Sequence, residues 1–306
     1  MTMTHRRPRL LAYLDGKGHD AAEVGEKAAL LDRVVGDGYP LPSMVVVTSA
    51  AYARVIEEDS LSLLIEDLRT SALPDPSHTA AEAAAIERSF LKVPIPDPLQ
   101  RALQRIANEY LTRSSVTVRS SVTDEDLEHR GEPGQYLTVP GIVDLDGLER
   151  AVRRCWASLW LPTARRHRRD QRMADHQIAL AVIVQQNPAG TMAGRAFSTD
   201  PGGQSHLARI ESETGTFQIR KDTLEVLEIR GDPPPFLEDL GRIVVRLEKT
   251  LDGPHRGEGG ALQEELPGQQ RAVEGAGGER RGHRPPPALP YREGPPRARR
   301  RDRCRS

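Results

Sequence analysis

Aromatic side chains are scarce: they make up 4% of the 306 residues, and hydrophobic types together reach only 37%. Both values lie below ordinary globular usage, so part of the chain is expected to stay outside any packed core. Cysteine is nearly absent. Cys155 and Cys304 stand far apart without metal-ligand spacing, which argues against a disulfide scaffold and fits a reducing compartment. No sign of charge dominates either, since 43 Lys and Arg face 44 Asp and Glu for a net charge of −1. The whole chain therefore lacks the electrostatic signature of nucleic-acid binding. Long apolar runs are missing too. The arginines near the start have no hydrophobic stretch behind them, so neither a signal peptide nor a membrane span is read. A soluble cytoplasmic protein is expected.

What is present alternates between helical and strand-like patterns. Val24, Ala28, Leu31 and Val35 recur at helical spacing, which predicts a helix from Glu23 to Val35, stopped by Gly36-Asp-Gly. Met44 to Val47 reads as a buried strand. Ser49 is placed to cap the next helix. Further helices are predicted over Ser60–Leu68, Ala80–Phe90 and Leu99–Leu111, the last with Pro98 in its first turn. Ser115–Val118 reads as a short strand with Arg119 at its end. Leu148–Arg169 carries Val152, Cys155, Trp156, Leu159 and Trp160 on one face, and Pro162 is expected to split it. Its Arg165–Arg172 end reads as a solvated basic face favourable at a helix C-terminus. Ile178–Val184, Arg195–Thr199, Leu207–Glu211 and a hairpin over Phe217–Arg230 supply strands, and Phe236–Leu251 a last helix. From His255 to Ser306 there is no isoleucine, phenylalanine or tryptophan, and Gly, Pro, Glu and Arg dominate. Such a stretch cannot bury enough apolar surface to offset its ordering entropy, so a disordered tail is expected over 254–306.

Several segments together carry a resemblance. They are Gly25-Glu-Lys-Ala-Ala-Leu-Leu, Gly38-Tyr-Pro-Leu-Pro, Val45-Val-Val-Thr and Val118-Arg-Ser-Ser-Val-Thr-Asp-Glu-Asp. Ala151-Val-Arg-Arg-Cys-Trp-Ala-Ser-Leu-Trp, Ala181-Val-Ile-Val-Gln and Ala193-Gly-Arg-Ala-Phe-Ser-Thr-Asp-Pro follow in the same order. From about Gly25 to about Leu251 the chain resembles the N-terminal ATP-binding domain of the pyruvate phosphate dikinase and phosphoenolpyruvate synthase family. The resemblance implies an α+β, ATP-grasp-like fold of two lobes over residues 1–253. It implies ATP as ligand and phosphoryl transfer through a phosphohistidine carrier that this chain does not contain.

The resemblance also assigns roles. Lys27 is a point charge beside a glycine turn, suited to a phosphate; a solvated helix lysine is the other reading. Glu26 stands where the family has its second glycine. Arg119 can grip a phosphate with its planar fork, the role taken here as catalytic and cofactor-binding; a surface pair with Asp124 or Glu125 is its alternative. Gly131 and Gly134 fall where the family has a glycine loop over the phosphates, or else form a plain turn. Gln185 falls where the family contacts the adenine edge, and its amide can both donate and accept. Thr199-Asp-Pro-Gly-Gly-Gln-Ser-His resembles a phosphohistidine motif, but its spacing is one residue short, so His206 is read as a loop histidine. Mg2+ is expected from the family. Its carboxylate and companion ligands lie in an Asp-Ile-Glu-Trp and Gln-x-Arg segment that does not follow Leu251-Asp-Gly-Pro here, and a Gly-Leu-Gly-Glu segment is missing after Glu213. A catalytically inactive nucleotide-binding remnant is therefore one alternative, and a basic-tailed nucleic-acid interaction protein another.

Overall fold

The computed structural model describes residues 8–123, 136–170, 172, 178–187, 194–199, 204–234, 237–250 and 261–262. They form two five-stranded sheets, every ladder antiparallel, with helices between the strands in sequence. This is the expected α+β, ATP-grasp-like pair of lobes. Among the described residues no helix is long and apolar enough to cross a membrane.

The first sheet runs β1 (Leu11–Tyr13), β2 (Met44–Val47), β5 (Leu180–Gln186), β3 (Val116–Val122) and β4 (Thr138–Ile142) from edge to edge. Side chains alternate across a strand, so each strand feeds two layers. Val45 and Val47, Val116, Val118 and Val122, and Leu180, Val182 and Val184 enter the larger core. That core is closed by α3 (Ser49–Ile56), α4 (Asp59–Thr70), α5 (Thr79–Lys92), α6 (Asp97–Ile106) and α7 (Leu145–Ser158). Met44, Val46, Ala181 and Ile183 point to the opposite layer, where Val24 of α1 (Ala21–Val24) and Ala28 and Leu31 of α2 (Glu26–Gly36) cover them.

Three local expectations are corrected by the structure. The predicted helix over Glu23–Val35 is two helices, because Gly25 takes φ +82° and ψ 156° and interrupts it. Ser49 begins α3 rather than capping it; its hydroxyl donates to the Ala22 carbonyl at 2.7 Å. The helix expected to Leu111 widens after Ile106 into a π-helical turn over Ala107–Leu111.

Trp156 and Trp160 are core residues, as expected, each no more than 1% exposed. The basic helix end is solvated only in part, with Arg166 and Arg172 exposed. In α8 (Pro162–Asp170), Arg165 and Arg168 are buried. They turn inward because helix C-termini leave carbonyls unsatisfied and favour cations. Arg165 Nη2 reaches Ser71 Oγ at 3.0 Å at the end of α4, and Arg168 Nη1 reaches the Leu159 carbonyl at 2.6 Å at the end of α7. The Trp160 ring faces the guanidiniums of Arg69 and Arg168, both 5.6 Å from its centroid, and its Nε1 donates to the Tyr52 hydroxyl at 2.8 Å. Trp160→Phe keeps an aromatic ring but removes this buried donor and weakens the cation–π pairing. The expected loss is about 1–3 kcal/mol of unfolding free energy, read from the urea midpoint. An unshifted midpoint would show that the indole N–H is not a stabilising contact. Cys155, in the same core, is fully buried, and burial pushes its thiol up to about 12. That makes it an inert packing residue rather than a nucleophile.

The second sheet runs β10 (Ala261–Leu262), β6 (Gly194–Phe197), β7 (Leu207–Ser212), β8 (Gly215–Arg220) and β9 (Val226–Gly231). Ala196, Ala208, Ile210, Phe217 and Ile219 pack against Leu237 and Val244 of α9 (Leu237–Thr250). The other side of α9 joins the lobes. Leu247 and Ile243 meet Val34 in the last turn of α2 and Tyr39 just past it, and the Arg246 guanidinium lies 4.8 Å from the Tyr39 ring centroid. Of the tail expected over 254–306, only the strand Ala261–Leu262 is described; the rest lies outside the described residues.

Candidate functional site

Among the described residues α1 and α2 cover the apolar half of the second layer of the first sheet. One row across it reads Ala12, Val46, Ile183, Arg119 and Thr138, and the next reads Met44, Gln185 and Thr117. The rows are apolar toward β1, under the helices, and polar toward β3. Arg119 and Gln185 thus lie on one face, on adjacent strands, one row apart.

They touch. Arg119 Nη1 donates to Gln185 Oε1 at 3.3 Å, and Gln185 is 6% exposed. Beside them Thr117 Oγ1 donates to Asn187 Oδ1 at 3.0 Å, and Asn187 Nδ2 donates to Ser115 Oγ at 3.2 Å. Arg119 does not end its strand, as the sequence suggested, but sits in the middle of the seven residues of β3. The two serines after it continue the strand because their hydroxyls are satisfied there. Ser120 Oγ donates to the Leu137 carbonyl at 3.0 Å, and Ser121 Oγ accepts from the Ala28 amide at 3.1 Å.

That last bond brings the third residue to the site. Gly25, Glu26, Lys27 and Ala28 form the cap and first turn of α2, and this turn is seated on β3 through Ser121. Lys27, in the second helical position, is half-buried. Its helix presents its positive end at the same strand and on the same face as Arg119. Arg119, Gln185 and the turn bearing Lys27 are therefore brought together. Gly131 and Gly134 lie outside the described residues, as do Asp124, Glu125 and Asp126. His206 is exposed in the turn that leads into β7. Ser121 and Thr117 were not singled out from the sequence; their even spacing about Arg119 was the available signal, since strand residues two apart share a face.

Among the described residues no group of three possible cation ligands lies at Arg119. Among the described residues the one group of three possible cation ligands is Asp15, His19 and Asp32. Asp32 spends both carboxylate oxygens on the loop after β1, accepting from Gly16 N at 2.8 Å and Gly18 N at 2.9 Å. Asp15 is paired with Lys17. Gly16 abuts Gly36, at the end of α2 remote from Lys27: a Cβ on it would lie 2.6 Å from the Gly36 Cα. These carboxylates thus anchor the loop after β1 against α2.

Known proteins are similar to this chain in sequence. A phosphoenolpyruvate synthase of Aeropyrum pernix is 32% identical over 247 residues, covering 72% of this chain and 30% of its own. A rifampicin phosphotransferase of Streptomyces sviceus is 32% identical over 207 residues, covering 67% of this chain and 23% of its own. The prodigiosin synthesizing transferase PigC of Serratia marcescens is 28% identical over 204 residues, covering 65% of this chain and 21% of its own. The chain thus spans less than a third of the length of these curated relatives. The family model described as pyruvate phosphate dikinase, AMP/ATP-binding domain, matches residues 21–217, and the chain belongs to that family.

Proposed function

We propose that the chain binds ATP on the polar half of the first sheet, with Lys27 and Arg119 on the phosphates and Gln185 on the adenine edge. Gly131 and Gly134 cover the phosphates in this reading. The observation that carries it is the Arg119–Gln185 contact on the face where the first turn of α2 is seated. An arginine fork beside a helix N-terminus suits an anion, and a neighbouring carboxamide suits a base edge. The nucleotide domain would occupy 1–253, and the Gly-, Pro- and Arg-rich stretch 254–306 would lie outside it.

Little covalent work falls to the protein in phosphoryl transfer; positioning and charge do most of it. Lys27 and Arg119 would hold the phosphates and neutralise charge that develops on them. The phosphoryl group would pass to a phosphohistidine carrier in another domain or chain, and the relatives named phosphoenolpyruvate synthase and phosphotransferase support this reading. Nucleotide binding without turnover is the second reading; among the described residues the one group of three possible cation ligands, Asp15, His19 and Asp32, is tied to the loop after β1. Calorimetric titration of the full chain with ATP and GTP tests the binding. A single saturable ATP site with preference over GTP is expected, and the absence of any ATP binding would overturn the proposal. ATP turnover with Mg2+, with and without an added carrier domain, separates the two readings.

A further inference from the structure

We infer that Ser121 is a positioning residue for the phosphate site, fixing Lys27 in place relative to Arg119; this rests on the nucleotide reading above. The nucleotide reading assigns Ser121 no ligand contact of its own. It lies two residues after Arg119 on β3 and shares its face. Its hydroxyl oxygen accepts from the Ala28 amide at 3.1 Å. Ala28 is the third residue of α2, so this amide belongs to the first turn, whose donors have no partner within the helix. Gly25, which would normally supply the cap, has no side chain to do so. A strand residue thus caps the helix from outside.

The seat is tight as well as bonded. A Cβ on Gly25 would lie 2.2 Å from Ser121 Oγ and 2.4 Å from the Ser121 carbonyl oxygen. Glycine lets the chain pass directly against β3, and the hydroxyl then holds the turn at one height along the strand. Lys27 lies between these two anchor points in sequence, one at Gly25 and one at Ala28. Arg119 is carried by the same strand as the anchor. The two cations proposed for the phosphates are therefore referred to one strand rather than to two independent elements. Preorganisation of this kind reduces what binding must spend on ordering the site.

A purely structural hydroxyl and a positioning hydroxyl differ in one measurable respect. Loosening the turn at Lys27 should affect ligands that carry phosphates and spare one that carries only the base and sugar. Calorimetry on the full-length Ser121→Ala variant with ATP and with adenosine reads that difference. ATP affinity is expected to fall roughly tenfold, with adenosine affinity unchanged. Ser121→Cys, whose sulfur accepts only weakly, is expected to give a smaller loss with the same selectivity. Unchanged ATP affinity in both variants would overturn the inference. Equal losses for ATP and adenosine would overturn it too, by showing that the residue serves the fold alone. Failure of the unaltered chain to bind ATP at all would instead remove the nucleotide reading on which the inference rests.

Discussion

Arg119→Ala is expected to weaken ATP binding by about two orders of magnitude while leaving the protein folded. A guanidinium offers parallel donors to a phosphate, and each charge-assisted bond contributes about 1.5–3 kcal/mol. Losing such a grip, at about 1.4 kcal/mol per tenfold, accounts for the expected factor. Arg119 also donates to Gln185 Oε1 at 3.3 Å, so the alanine variant leaves the buried carboxamide without that donor. The accompanying stability loss should be small, about 1 kcal/mol, because the strand keeps its ladder to both neighbours. Arg119→Lys should recover only part of the affinity, since an ammonium is a single point charge without the fork. Calorimetry with ATP beside a urea denaturation curve separates the effects. Unaltered ATP affinity in the alanine variant would overturn the phosphate role of Arg119.

Gly25→Ala should produce the largest stability loss of any single-methyl change near the site. Two independent penalties coincide there. The backbone at φ +82° and ψ 156° lies in a region that is essentially glycine-only, with a strain of about 1–3 kcal/mol for other residues. The added Cβ would also meet the Ser121 carbonyl oxygen at 2.4 Å, a backbone atom that cannot swing away. Either α2 lifts off β3 or β3 bends, and both outcomes disturb the layer formed by Val24, Ala28, Leu31 and Ile183. A combined cost of roughly 3–5 kcal/mol should lower the melting temperature by about 10 °C or more. Because Lys27 follows two residues later, ATP binding should weaken together with stability. A melting temperature within a degree of the unaltered protein would show that the turn is not seated as tightly as the structure has it.

Much of the fold was legible because its signal is local. The β-branched run Met44–Val47 is a strand buried on both sides, and the split at Pro162 separates α7 from α8. The pair of tryptophans four apart marked the core. Two of the failures share a cause: polar side chains satisfied by partners away from their own segment. Ser120 and Ser121 looked like a loop after a short strand, yet Leu137 and Ala28 complete their hydrogen bonds and let β3 run on through Val122. Arg165 and Arg168 looked solvated, yet the carbonyl ends of α4 and α7 draw them inside. Periodicity also passed over Gly25, since an interrupted helix keeps its apolar spacing on both sides of the break. At the site, the residue types at Lys27, Arg119 and Gln185 could be named from the motifs they sit in. Their meeting could not, because it depends on β5 pairing with β3, a strand more than fifty residues earlier in the chain.

That pairing has a consequence for how the molecule comes into being. β5 lies between β2 and β3 in the sheet but follows both in the chain. As the chain emerges from the ribosome, β2 and β3 must wait with their inner edges open until residues 180–186 arrive to join them. Pairings between segments so distant in sequence close slowly, and open strand edges invite association with other chains. Premature release or stalling before β5 is made would therefore yield a product that carries α1 to α8 but lacks the central strand, prone to aggregate and without an assembled Arg119–Gln185 pair.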